Sequence, residues 1–104
     1  MSSDAPVEVA RMLVLSTCHL RENTCNEWLR RCPWACFRKD HYGWFMYVPH
    51  RQPIYDDYGP VYNDYGPVPG ELLVILRYAQ EHDFLWVMFD RDGPVQPGLV
   101  VYDW

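Results

Sequence analysis

The chain has 104 residues and a formal net charge of −5, and 16 % of its residues are aromatic, with five Trp and eight Tyr. That length supports one domain with a single modest core, and the aromatic content argues against disorder. No stretch of about 20 apolar residues is present, so nothing reads as a membrane-spanning helix.

Residues 1–10 read as a flexible arm and residues 11–104 as one domain. The start, Met1-Ser2-Ser3-Asp4-Ala5-Pro6, lacks the basic and apolar regions of a secretion signal, which makes the expected location cytoplasmic. Met12-Leu13-Val14-Leu15 is a short continuous apolar run, better suited to a buried strand than to a helix. From Glu22 to Cys32 the spacing changes: Cys25, Trp28, Leu29 and Cys32 fall at i, i+3, i+4 and i+7, one face of a helix. Arg30 and Arg31 occupy its last turn, favourable against the helix dipole, and Pro33 stops it.

Tyr42 to Val48 is aromatic and β-prone and reads as a second strand, ended by Pro49. A long loop over 49–69 follows. Pro69 and Glu71 then open a helix over 70–82, with Leu72, Ile75, Leu76 and Ala79 as its core stripe. Phe84 to Phe89 is a third strand, closed by the turn signal Asp90-Arg91-Asp92-Gly93-Pro94. Leu99-Val100-Val101-Tyr102 reads as a last strand, antiparallel to the third. The order β-α-β-loop-α-β-β predicts an α/β (α+β) single domain of two layers, a mixed four-stranded sheet carrying two helices. Leu13, Leu15, Trp28, Leu29, Leu72, Leu76, Val87 and Phe89 are its expected core.

The long loop holds a tandem heptad: Tyr55-Asp56-Asp57-Tyr58-Gly59-Pro60-Val61 is followed by Tyr62-Asn63-Asp64-Tyr65-Gly66-Pro67-Val68. Each copy carries Gly-Pro, which punctuates backbone structure, and acids that resist burial, so an exposed irregular loop is expected. Two readings fit it. A short duplication can lengthen a tolerant loop at little closure cost. Alternatively, its tyrosines and aspartates (Tyr55, Asp56, Asp57, Tyr58, Tyr62, Asp64 and Tyr65) form a partner-binding surface.

Charge is unevenly spread. Residues 1–48 hold six Arg/Lys against five Asp/Glu, whereas residues 49–104 hold three Arg against nine Asp/Glu. The second half therefore argues against direct contact with nucleic acid phosphates and suits a basic partner.

Ser16-Thr17-Cys18-His19-Leu20 follows the first strand, and ligands in α/β folds commonly bind outside the carboxyl ends of strands. If strands one and three are parallel, Ser16, His19, Asp90 and Asp92 share one edge. A nucleophile–base–orienter set or a hard-metal site can be drawn from them. The same residue types also serve as caps and turns. Of Cys18, Cys25, Cys32 and Cys36, only Cys32/Cys36 has a spacing near that of zinc ligands, with His41 close by. Core thiols are the main reading; zinc and a disulfide are the alternatives. Trp34, Trp44, Trp86 and Trp104 either fill the core or form a stacking platform. No Gly-rich phosphate loop, His-Glu-x-x-His motif or basic stripe occurs, and no cofactor is expected.

Three segments together resemble an uncharacterised family of small proteins, or terminal domains, carried by bacterial phages and other mobile elements. They are Leu13 to Leu20, Tyr42 to Val48, and Asp90-Arg91-Asp92-Gly93-Pro94 running to Tyr102-Asp103-Trp104. The resemblance implies no reaction. By analogy, small phage-borne proteins often disable a host machine. The expectation is therefore a non-enzymatic acidic inhibitor, monomeric or homodimeric. It would act as an anti-CRISPR-type protein does, occupying a basic nucleic-acid-binding surface of a host protein or nucleoprotein complex. The alternative is a small hydrolase or metal-dependent protein using Ser16, His19, Asp90 and Asp92.

Overall fold

The computed structural model describes residues 7–49 and 68–104, together with the backbone of 55–56 and 59–60. Four strands form one sheet: β1 (Met12–Ser16), β2 (Cys36–Lys39), β3 (Gly43–Tyr47) and β6 (Trp86–Asp90), in the spatial order β1-β6-β3-β2. β1 and β6 are parallel, and β6–β3 and β3–β2 are antiparallel, so the sheet is mixed as expected. The only regular α-helix among the described residues, α1 (Gly70–Glu81), covers one face. Its stripe of Leu72, Leu73, Ile75, Leu76 and Ala79 is buried with Leu15, Trp44, Met46, Val87 and Phe89 of the sheet. Leu29 is buried too, while Leu13 and Trp28 are half-buried against the same core.

Two elements differ from the sequence reading. The predicted helix over 22–32 has the expected inward face, but it is wound as a π-helical turn, Thr24–Trp28, followed by a 3₁₀ turn, Leu29–Arg31. The cause is a captured carbonyl: Trp44 Nε1 donates to Cys25 O at 2.9 Å. The acceptor that Leu29 N–H would use in an α-helix is thus occupied, and that N–H reaches one residue further back, to Thr24 O. The second difference concerns the predicted strand Leu99–Tyr102, which is not a strand and does not pair with β6. Its backbone is engaged elsewhere, Tyr102 N–H donating to Cys18 O at 2.8 Å and Val100 O bonding the His19 ring. The fourth strand is instead the edge strand β2, and β6 lies between β1 and β3.

The long loop also carries more structure than predicted. β4 (Tyr55–Asp56) and β5 (Gly59–Pro60) form a two-residue antiparallel ladder within the first heptad. Val68, the last heptad residue, is buried in the core; the other remaining heptad residues and the side chains of 50–67 lie outside the described residues, as does 1–6 of the arm. Residues 7–10 are exposed and irregular.

Two glycines set the edge where β1 and β6 end. Gly43 has φ +151°, and a Cβ there would lie 1.7 Å from Phe89 O. At Gly93 a Cβ would approach Leu15 O to 2.9 Å. Only a residue without a side chain lets these backbones come so close. The turn after β6 is thereby drawn against β1, with Ser16 N–H donating to Pro94 O at 2.9 Å.

Candidate functional site

The parallel pairing puts Ser16 opposite Asp90 in register, so the edge drawn from the sequence exists. The polar atoms on it are engaged within the fold, most of them by the backbone. Ser16 Oγ accepts from Cys18 N–H at 3.1 Å, capping the 3₁₀ turn Thr17–His19. His19 is 2 % exposed. Its Nε2 accepts from Gln96 N–H at 2.8 Å, which leaves the proton on Nδ1, donated to Val100 O at 2.9 Å. The ring is therefore a neutral pin between β1 and the C-terminal segment, with no nitrogen left to serve Ser16 as a base. Asp90 Oδ1 accepts from Asp92 N–H at 2.8 Å, and Oδ2 pairs with Lys39 Nζ at 3.0 Å. The first of these bonds, then Lys39, holds its carboxyl below the ordinary range.

The four thiols are free. Cys25 is buried, and burial pushes its thiol up. Cys36 donates to Cys32, which lowers Cys32 and raises Cys36. His41 is not brought to that pair: it lies exposed, 3.2 Å from Asp40 and packed on the Tyr42 ring. Among the described residues no three His, Cys, Asp or Glu side chains converge on a point that could hold a metal ion.

A cleft of about 580 Å³ opens at the carboxyl end of β1. Ser16, Thr17 and Cys18 and the turn Asp40–Gly43 are part of its lining. Three arginines line it, each from a different element: Arg30 from the 3₁₀ turn, Arg38 from β2 and Arg91 from the turn after β6. Arg38 donates through Nε to Asp40 O at 2.7 Å, and its guanidinium carbon stands 5.9 Å from the centre of the Trp44 ring. Arg30 and Arg91 have no ion pair with a carboxylate among the described residues. Aromatic rings complete the lining. Trp44 is fixed by its bond to Cys25 O, and Trp104 by a 2.9 Å bond from Nε1 to Leu20 O. Tyr102 also faces the cleft, with the Arg21 guanidinium 5.4 Å from its ring centre. His19, Asp90 and Asp92 do not line it.

The sheet face opposite α1 is the second feature. Alternation puts Met12, Val14, Phe37, Phe45, Tyr47, Trp86 and Met88 there, away from the core. Phe45 and Trp86 stack at 4.5 Å and 8°, with Tyr47 edge-on to Trp86 at 5.4 Å. Phe37 remains 57 % exposed and Met12 39 %. Of the tryptophans expected in the core, Trp44 is buried and Trp34 half-buried edge-on to Trp28, whereas Trp86 and Trp104 sit at these two surfaces.

Of the predicted site residues that the structure describes, Ser16 and His41 line the cleft, whereas its arginines and the open sheet face were not predicted. The open face had a signal: Tyr42–Val48 is apolar at both parities, and a sheet with one helical layer covers only one of them. The arginines had none, being scattered from Arg30 to Arg91 in a chain of negative net charge.

The fold is that of a small two-layer α/β domain bearing an arginine-lined cleft and an uncovered aromatic face. Residues 12–104 match the C-terminal domain of a family of unknown function, DUF5983, and the chain belongs to that family. Nothing among curated proteins or solved structures matches it. No helix among the described residues is long and apolar enough to cross a membrane.

Proposed function

We propose that this chain is a non-enzymatic binding protein of mobile-element origin. Its partner would be a basic host protein or nucleoprotein complex, as for an anti-CRISPR-type inhibitor. The observation that carries the reading is the open sheet face. Its aromatic side chains are pre-stacked and partly exposed, and contiguous apolar patches on small domains mark contact surfaces. Rigid aromatic anchors are what interface centres use. Ser16 and His19 are engaged by backbone bonds and Asp90 by the Asp92 backbone and Lys39, which favours binding over the hydrolase drawn from these side chains.

The sign of the partner follows from charge. With nine acids against three arginines in residues 49–104, a cationic partner gains long-range attraction. Its Arg and Lys side chains can also lie on exposed ring faces. By sequence, the two heptads add tyrosines and aspartates of the same chemistry between β3 and α1.

The test is titration of the immobilised chain with purified guide-loaded CRISPR effector complexes. Binding should weaken as salt rises and should compete with target DNA. Phe37→Ser with Tyr47→Ser, both at exposed positions, should lower affinity about tenfold or more with an unchanged melting temperature. Deleting residues 55–61 reports the share of the loop. If no complex is retained, or the paired variant binds like the parent chain, the reading fails.

A further inference from the structure

We propose that the cleft at the carboxyl end of β1 is a nucleotide site, in which guanidinium groups hold phosphate and an aromatic wall stacks the base. The inference does not rest on the sheet face or on any protein partner, since none of the aromatic and apolar side chains of that face lines the cleft.

The first argument is charge against the background of the chain. A molecule with net charge −5 gathers three arginines around one cavity, whose one acidic lining side chain, Asp40, lies 3.2 Å from the His41 ring. Like charges repel, and bringing them together from three separate elements is unfavourable unless an anion enters. Arg30 and Arg91 have no carboxylate to neutralise them among the described residues, and Arg38 commits only Nε, leaving its outer nitrogens for a ligand. Guanidinium presents paired donors in a plane, the geometry that phosphate oxygens accept.

The second argument is the wall. A simple anion site has no use for indole and phenol rings. Here Trp44 and Trp104 each have their Nε1 tied to a backbone carbonyl, so their planes are set before any ligand arrives. Tyr102 is held by its backbone bond to Cys18 and its contact with Arg21. Preset rings lose little freedom on binding, and base–aromatic stacking tolerates any base. The cavity, at about 580 Å³, falls within the range that takes a small ligand of this size. Its place, outside the carboxyl end of a parallel strand, is where α/β sheets leave room for one. The predicted ligand is thus a nucleoside phosphate, either free or as the phosphorylated end of a strand.

Quenching of tryptophan fluorescence tests this, because Trp44 and Trp104 line the cleft. Adenosine, guanosine, cytidine and uridine monophosphates should each quench saturably, and inorganic phosphate should compete with them more weakly. Nucleosides lacking phosphate should bind at least about tenfold less tightly. Arg30→Gln with Arg91→Gln, both exposed, should cost about tenfold or more in nucleotide affinity at unchanged melting temperature. A 5′-phosphorylated oligonucleotide binding more tightly than the monophosphates assigns the site to strand ends; the reverse order assigns it to free nucleotides. The proposal is overturned if no nucleotide quenches saturably, if nucleosides bind as well as nucleotides, or if inorganic phosphate alone binds as tightly. Equal affinity in the double variant overturns it too.

Discussion

His19→Leu isolates what the buried imidazole does. Leucine keeps the apolar bulk but removes both ring nitrogens, so Gln96 N–H and Val100 O lose their partners. An orphaned buried backbone group costs about 1–3 kcal/mol, and these two are only partly shielded from water, so the expected loss is about 2–4 kcal/mol. Against a urea dependence of about 1–3 kcal/mol per molar for a domain of this size, the unfolding midpoint should fall by roughly 1–2 M. The loss should also be local. Because His19 pins the C-terminal segment, amide exchange should accelerate first at Gln96 and Tyr102 and least at Val87 in the sheet centre. Nucleotide affinity should fall with it, since Tyr102 and Trp104 belong to that segment. A midpoint unchanged within error, with Tyr102 exchange as in the parent chain, would refute the pin.

Gly43→Ala should destabilise by about 2–4 kcal/mol in thermal or urea unfolding, because the new methyl must displace Phe89 O from 1.7 Å at a backbone angle of +151°; a loss below about 0.5 kcal/mol would show that the strands separate freely there. For Asp90, the folded carboxyl is held below 3.8, so its stabilisation is present above that value and is lost as pH falls through the lowered folded value. Asp90→Asn should therefore flatten the acid side of the melting-temperature profile, and an unchanged acid limb would count against the Asp92 and Lys39 bonds. Alkylation by iodoacetamide followed by peptide mass mapping should modify Cys32 before Cys25 or Cys36, since the Cys36 hydrogen bond favours its thiolate while burial suppresses Cys25; Cys25 reacting first would reverse that ordering.

The legibility of the fold in the sequence differs element by element. β1 and α1 were plain because their patterns have one physical reading: a short apolar run with no helical polar face, and a Pro-opened stripe at helical spacing. The segment at 24–31 shows what periodicity omits. Cys25 and Leu29 do face inward, yet the winding goes with a bond to Cys25 O from Trp44, 19 positions further along the chain, which no local rule ties to this segment. β2 was missed because Cys36-Phe37-Arg38-Lys39 is an edge strand, paired on one side and charged, with little apolar alternation. The Val100-Val101 pair misled in the opposite direction: β-branched residues favour strands, but here the backbone is engaged by Cys18 and His19 across the end of β1. The site was legible as a place, through the strand-end rule, and not as chemistry. Ser, His and Asp near a strand end suggested catalysis, while the cavity lining carries arginines whose convergence depends on three separate elements of the fold.

The parallel pairing of β1 with β6 has a kinetic side. Leu13 and Val87 are partners, so the β1–β6 ladder closes only after most of the chain has emerged, and a fragment ending before residue 86 leaves β1 without its neighbour. Such distant pairing predicts slow folding for so small a domain, limited by loop closure rather than by helix formation. The duplicated heptad lies inside that closing segment, which runs from Ser16 to Trp86. Lengthening the segment by one repeat raises the closure cost by only about 0.1 kcal/mol, because the entropy grows with the logarithm of loop length. The topology therefore leaves this stretch open to gaining or losing repeats with almost no effect on the folding barrier, whatever those repeats do in the finished molecule.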